Sequence, residues 1–527
     1  MKILVSDPLS ETGMAFLNSQ KGFEVVVKTG LSEEALCKEI RGYDALLVRS
    51  GTTVTAKVIE AADSLRLIGR AGVGVDNVDV QAATKRGIIV MNTPDGNTIS
   101  TAEHSFAMLL ALSRNIPQAV SSMRKGEWDR KSFKGVELHG KILGVIGMGR
   151  IGTEVAKRAR AFNMVVYAYD PFLSEEMAKK FGVELAGKEK IFKEADFITV
   201  HTPLTDDTRD LINNKSITLM KKGVRIINCA RGGIVNENDL LAALESGKIA
   251  GAALDVFETE PPSNPALIAH PKLIATPHLG ASTTEAQEKV AIDVAKQVVD
   301  ALHHGIINNA VNAPSADSEL LKVLKPYIVL SEKLGKFLSA IASGRMQKIN
   351  ILFGGKAANH DVSLPSAAFV EGVLKKAFPE QVNIVNAVHL ATERGIRVEQ
   401  AKSDTVRDYA DYISASVETN EGTFSVSGTF FSNRNEPRII DVNGYYINAQ
   451  PYGTLLYVIN KDLPGIIGEM GVLLGKHGIN IADMTVGRHR PGDIALTLIN
   501  LDQPVSDNVL TELRSLEKII EAKQIIL

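Results

Sequence analysis

Gly147-Met148-Gly149-Arg150-Ile151-Gly152, set between the apolar run 142–146 and a helical stretch, constrains this chain more than any other segment. A strand that turns into a helix across three such glycines forms the phosphate-binding corner of a dinucleotide fold. Gly147 permits the tight turn, Gly149 lets a pyrophosphate approach the backbone, and Gly152 lets helix and strand pack closely. The helix N-terminus then turns its free N–H groups toward phosphate. An acidic residue is expected at the end of the next strand, and Asp170 stands eighteen residues past Gly152. Its carboxylate would accept from ribose hydroxyls and repel a 2′-phosphate, so NAD is favoured over NADP. Gly72-Val73-Gly74 is a second glycine pair with no acidic residue at that distance, and it reads as a structural or an anion-binding turn.

The fold class follows from rhythm. Over roughly the first 300 residues, short apolar runs alternate with helical patterns, which predicts α/β architecture with doubly wound parallel sheets. Strands are expected at 2–6, 45–48, 67–68, 142–146, 165–169, 197–200, 224–227 and 252–254. Ser100-Thr101-Ala102-Glu103 has the pattern of a capping box and predicts a helix running through Leu112. A helix is expected over 284–303, and 308–317, rich in Asn, Pro, Ala and Ser, reads as a linker. Beyond it lie a helix at 320–342, strands at 347–353 and 423–431, and a β-α-β-β-α-β order over 454–527, the ferredoxin-like arrangement.

Composition excludes several functions. A chain of 527 residues has room for about three or four domains. The formal charge of −2 argues against a nucleic-acid protein that relies on a strong basic field. Only Cys37 and Cys229 occur, which excludes a disulfide framework and a cysteine-built metal cluster, so no metal site is expected. No apolar run approaches the length of a membrane span. A soluble, reduced, cytoplasmic protein is the expectation.

Three polar residues follow successive strands of the glycine-loop unit. Arg231 comes after residues 224–230, Glu260 stands before Pro261-Pro262, and His278 follows Thr276-Pro277. Ligands of open α/β sheets bind outside the carboxyl ends of the strands, where these three lie. Oxidising a 2-hydroxy acid needs a cation for the carboxylate, a base for the hydroxyl proton and a hydride acceptor. Arginine offers a planar fork for carboxylate. Histidine titrates nearest neutrality, and an adjacent carboxylate fixes its tautomer. Each residue alone also fits a bland role: a strand-end cap, a solvated acid, a satisfied core histidine.

Residues 228–235 (Asn-Cys-Ala-Arg-Gly-Gly-Ile-Val), 253–262 with Ala-Leu-Asp-Val-Phe and Glu260-Pro261-Pro262, and Pro277-His278-Leu279-Gly280-Ala281-Ser282-Thr283 resemble signatures of the D-2-hydroxyacid dehydrogenase family. Together with 69–77 and Met91-Asn92-Thr93-Pro94, they most resemble its branch acting on D-3-phosphoglycerate, in the long form with two extra C-terminal domains. The resemblance implies NAD-dependent oxidation of D-3-phosphoglycerate to 3-phosphohydroxypyruvate, the entry to serine biosynthesis. Arg231 would bind substrate, and His278, paired with Glu260, would be the acid/base. Gly147, Gly149, Arg150, Ile151, Gly152, Asp170, Thr202, Cys229, Ala230, Asp255, Gly280 and Ala281 would hold NAD. Arg49, Ser50, Val73 and Gly74 would meet substrate, with Arg130 and Lys131 adding cations from a neighbouring subunit. The implied domains are substrate-binding (1–97 and 284–310), NAD-binding (98–283), intervening (317–450) and ACT (453–527). An effector such as L-serine would be gripped by Asp462 and Asn480, usually across a subunit interface, with Asn460 standing where relatives carry His or Tyr. A homo-oligomer, dimer or tetramer, is implied, with no nucleic-acid or membrane partner. The rival readings are a broader dehydrogenase of hydroxypyruvate, glyoxylate or 2-hydroxyglutarate, and a nucleotide-sensing regulator on the same scaffold.

Overall fold

The computed structural model describes residues 1–316, 318–379, 382–403, 409–431 and 436–527. Its first sheet is wholly parallel: β1 (Lys2–Val5), β2 (Glu24–Val27), β3 (Ala45–Val48), β4 (Leu67–Arg70) and β5 (Ile89–Met91), in the order β2-β1-β3-β4-β5. All four residues of β3 are buried, as expected of a central strand covered on both faces. The edge strands β2 and β5 fall outside the sequence expectations. β2 is only half-buried, so its apolar signal is diluted by Glu24 and by exposed Val27.

The second parallel sheet comprises β6 (Ile142–Ile146), β7 (Val165–Tyr169), β8 (Glu184–Leu185), β9 (Phe197–Val200), β10 (Val224–Asn228), β11 (Ile249–Leu254) and β12 (Leu273–Ala275). Its order, β12-β11-β10-β9-β6-β7-β8, reverses direction at β6, where the glycine corner emerges. Two expected features are corrected here. The helix at 100 begins earlier, spanning Thr98–Arg114 with Asn97 as its N-cap, so the expected capping box does not form. Ser100 lies inside the first turn and its hydroxyl donates to the Asn97 carbonyl at 3.1 Å.

Helix Thr284–Val299 leaves the second sheet and packs on the first, through Val290, Val294 and Val298. Helix Glu11–Ser19 lies against it so closely that a Cβ on Gly13 would come within 2.8 Å of Ala291 Cβ. The expected linker has no helix or strand of its own, but it is tied to the first sheet. Ala310 bridges Met91 in antiparallel register, the Val311 amide donates to the Val90 carbonyl at 2.7 Å, and Asn312 accepts from Val90 N at 2.8 Å. This stretch completes the β5 edge of the sheet, satisfying backbone groups the edge would leave open. Asp317, its last expected residue, lies outside the described residues.

The remainder builds two further sheets. A mixed six-stranded sheet contains β13 (Met346–Gly355), β14 (Arg397–Ser403), β15 (Asp411–Thr419), β16 (Gly422–Phe431), β17 (Glu436–Val442) and β18 (Tyr445–Ala449). The antiparallel four-stranded sheet contains β19 (Thr454–Lys461), β20 (Ile481–Arg488), β21 (Ile494–Leu501) and β22 (Ile519–Ile526), in the order β20-β21-β19-β22. Helices Ile466–Lys476 and Asp507–Ser515 cover one face of the latter. Its other face, with Leu455, Tyr457, Leu496 and Leu498, shares one core with Leu330, Leu334 and Phe337 of helix Ser318–Ile341. Among the described residues no helix is long and apolar enough to cross a membrane.

The Gly13 contact predicts that Gly13→Val destabilises the protein by about 2 kcal/mol in urea unfolding, because the added methyls meet Ala291 backbone atoms that cannot yield.

Candidate active site

Two cavities meet between the carboxyl ends of the two parallel sheets. One, of about 330 Å³, is walled by Gly149, Arg150, Ile151, Thr202, Cys229, Ala230, Asp255, Gly280 and Ala281. The other, of about 390 Å³, is walled by Arg49, Ser50, Arg70, Gly74, Asp76 and Glu260. Val73, Arg231 and His278 line both. The structure thus brings together most of the residues expected from sequence.

His278 Nδ1 lies 2.7 Å from Glu260 Oε2, and the other carboxylate oxygen accepts from the Phe257 amide at 3.1 Å. With Nδ1–H directed at the carboxylate, Nε2 is left as an acceptor. The His278 backbone has φ 54°, a left-handed conformation that costs energy in a residue other than glycine. Asp255, 1% exposed just past β11, holds it there. Its carbonyl accepts from His278 N at 2.9 Å. Its carboxylate accepts from Thr276 Oγ1 at 2.6 Å and from the Leu279 and Gly280 amides at 2.7 and 2.8 Å, and His104 Nε2 lies 3.2 Å away. Burial alone would raise the Asp255 pKa, but hydrogen bonds from His104, Thr276, Leu279 and Gly280 outweigh it and hold the carboxyl below its ordinary value. Asp255 therefore lines the cavity while spending its oxygens on the turn that carries His278.

The cationic wall is larger than expected. Arg231 Nη1 donates to the Ala230 carbonyl at 2.7 Å. Arg70, at the end of β4, is mostly buried, and burial with the nearby Arg231 and Arg49 charges brings its pKa down to about 10, so it stays charged at neutral pH. Arg70 is a residue the sequence reading missed. Its signal is the pair Gly72 and Gly74: a Cβ there would lie 1.6 Å from Arg70 Nη1 and 2.3 Å from Arg231 Nη2 respectively. The glycines make room for two guanidinium groups. Arg49 follows β3, its amide donating to Asp7 Oδ2 at 2.6 Å, while Thr52 N and Oγ1 also bond Asp7.

The glycine corner fits a dinucleotide. Gly147 has φ 96°, and a Cβ on Gly152 would lie 1.9 Å from the Gly147 carbonyl. Above Gly149, which caps helix Arg150–Ala161 without a side-chain bond, the space is open, leaving the first-turn amides free for phosphate. The buried Thr202 hydroxyl finds no partner among the described residues. Asp170 accepts from the Met148 and Phe172 amides at 2.8 Å each, which fixes its carboxylate beside the glycine turn at the end of β7. Arg150 spans the cleft to Asp95, 2.5 Å away. Burial pushes the Cys229 thiol up to about 12 and holds the neighbouring His201 down at about 4, so at neutral pH neither carries charge.

Other expected residues do not converge. Arg130 and Lys131 are exposed and line neither cavity. In the four-stranded sheet, Asp462 bonds Arg488 and the Gly492 amide, whereas Asn480 bonds Asp502 at the opposite end. Asn460 is buried, accepting from Thr497 Oγ1 at 2.9 Å.

Comparison with known proteins gives a consistent set of likenesses. Residues 106–280 match the family described as D-isomer specific 2-hydroxyacid dehydrogenase, NAD binding domain. Residues 323–443 match the D-3-phosphoglycerate dehydrogenase intervening domain, and 454–518 the ACT domain. A D-3-phosphoglycerate dehydrogenase of Methanocaldococcus jannaschii is 45% identical over 520 residues, 98% of either chain. That of Bacillus subtilis is 45% identical over 524 residues, 99% of either chain. Among solved structures, D-lactate dehydrogenase of Aquifex aeolicus with NAD and lactic acid superposes with a TM-score of 0.54 at 31% identity, covering 60% of this chain and all of that one.

The Asp255 network yields a pH-dependent prediction. Asp255→Asn should cost about 3 kcal/mol at pH 7, because the Leu279 and Gly280 amides lose a charged acceptor. A lowered folded-state pKa gives stability that is complete above the unfolded value, about 3.9, and lost as pH falls through the folded one. Unfolding free energies of the wild type and Asp255→Asn should therefore converge toward low pH.

Proposed function

The chain belongs to the D-3-phosphoglycerate dehydrogenases of the D-2-hydroxyacid dehydrogenase family, an NAD-dependent oxidoreductase of serine biosynthesis, and on that premise we propose how its residues divide the work. The reaction converts D-3-phosphoglycerate to 3-phosphohydroxypyruvate. The observation that carries the assignment of roles is the His278–Glu260 pair facing Arg231 across a cavity that opens onto the glycine corner.

Arg231 takes the substrate carboxylate. Arg49 and Arg70 take the phosphate, giving the substrate's two charged ends separate anchors within one cavity. His278 Nε2 accepts the C2 hydroxyl proton as the C2–O bond becomes a carbonyl, and Glu260 steadies the imidazolium that results. NAD, when bound, supplies the acceptor for the C2 hydride. The open N-terminus at Gly149–Arg150 would hold its pyrophosphate, Asp170 its ribose, and Thr202 with Ala230 its nicotinamide half. Asp255 orients the turn under His278.

The substrate-binding domain is read as 1–97 with 284–310, the NAD-binding domain as 98–283, the intervening domain as 317–450 and the ACT domain as 453–527. Because Asp462 and Asn480 sit at opposite sheet ends, an effector such as L-serine would need both from two copies of the chain. The same requirement, with Arg130 and Lys131 outside their own cavity, favours a homo-oligomer. A cytoplasmic setting suits the two unpaired cysteines.

Arg231→Ala and His278→Ala should each lower kcat by about 10²-fold or more while NADH affinity, read by fluorescence titration, moves little. Unchanged turnover in either variant would remove that residue from the mechanism. Asp170→Ala should raise the NADP-to-NAD ratio of kcat/KM by about tenfold, because a 2′-phosphate no longer meets a carboxylate; an unmoved ratio would place the ribose elsewhere.

A further inference from the structure

The fork assigned to the substrate carboxylate already faces a carboxylate of its own chain. Asp76 Oδ2 lies 3.1 Å from Arg231 Nε. It also sits against Gly74, where a Cβ would be 2.7 Å from that oxygen and 2.3 Å from Arg231 Nη2. Asp76 therefore lies against the Nε end of the guanidinium, beside the glycine that Nη2 also approaches. Nη1 already donates to the Ala230 carbonyl at 2.7 Å, which leaves the Nε–Nη2 edge as the one with neither nitrogen bonded to backbone and so open to a bidentate carboxylate.

Arg231 has anchors other than Asp76. Besides the Nη1 bond, its backbone carbonyl accepts from Asn228 Nδ2 at 2.8 Å. The Asp76 side chain is 74% exposed against 30% for Arg231, and a carboxylate so placed can turn into water at small cost.

We propose that Asp76 is a resident competitor of the substrate carboxylate: it neutralises Arg231 in the free enzyme, swings out when substrate arrives, and so sets the affinity of the site. The inference rests on the reading that Arg231 binds the substrate carboxylate. An exposed ion pair of this kind is worth a factor of about 2–5 in affinity, and salt weakens it.

The test compares wild type, Asp76→Asn, Asp76→Ala and Arg231→Ala in steady-state kinetics, with malonate as an unreactive dicarboxylate probe. Asparagine keeps the shape of the turn without the charge, and alanine removes the side chain. Both Asp76 variants should lower the KM for D-3-phosphoglycerate and the malonate inhibition constant by about 2–5-fold, with kcat/KM rising, and the gain should shrink at high salt. A higher KM, a lower kcat/KM, or unchanged constants in both variants would overturn the proposal. If Arg231→Ala keeps wild-type turnover and malonate inhibition, the Arg231 reading itself has failed. If it loses both while the Asp76 variants gain nothing, the resident-competitor inference alone has failed.

Discussion

The candidate site depends on one buried carboxylate. Asp255 is placed by β11 where nearly no water reaches it, and its two oxygens gather a hydroxyl and two consecutive amides from the chain just beyond β12. A charged acceptor satisfied by several fixed donors in a low-dielectric setting holds its geometry more firmly than neutral pairs do. That firmness sustains the left-handed backbone at His278 and aims its ring at Glu260. The His278 imidazole, by contrast, is itself half-exposed. The molecule puts rigidity one layer behind the cavity wall and leaves the imidazole accessible.

The first sheet repeats the device. Asp7, past the end of β1, bonds the amides of Arg49 and Thr52 and thereby shapes the turn that presents Arg49 to the cavity. Each sheet thus fixes its contribution to the cleft with an aspartate at the carboxyl end of a strand. Between them, Gly72 and Gly74 keep the floor thin enough for Arg70 and Arg231 to lie over it. Three guanidinium groups at one site repel one another, and the burial of Arg70 shows in its lowered pKa. Asp76 and Asp7 offset part of that repulsion.

Much of this was legible in the sequence where the signal is local. The glycine corner, Asp170 and β3 each announce themselves within a few neighbouring residues, because close backbone packing and full burial restrict residue type directly. What escaped depends on partners far away in the chain. Nothing near Arg70 reveals that Arg231 and Arg49 will meet it, and nothing near Asp255 names His104 as its neighbour. The Ser100 pattern misleads because Asn97 starts the helix first, and any capping box needs a free N-terminus at that spot. Residues 308–316 connect as expected, but their pairing with the sheet went unread because polar, proline-containing chain closes an edge only when β5 lies beside it.

That closed edge also joins the two halves of the chain. The route to the C-terminal half runs first along β5, through Ala310 and Asn312, and the half then touches the same region again where Asn383 bonds the Gly87 carbonyl at 2.9 Å and Glu393 pairs with Lys85. The two halves are thus tied at two places on the β5 side of the first sheet. Asn92, one residue beyond β5, donates to the Val73 carbonyl beside the arginine cluster at 2.5 Å. One strand thus carries a tie to the C-terminal half along its edge and, one residue past its end, a bond to the turn that lines the cavity.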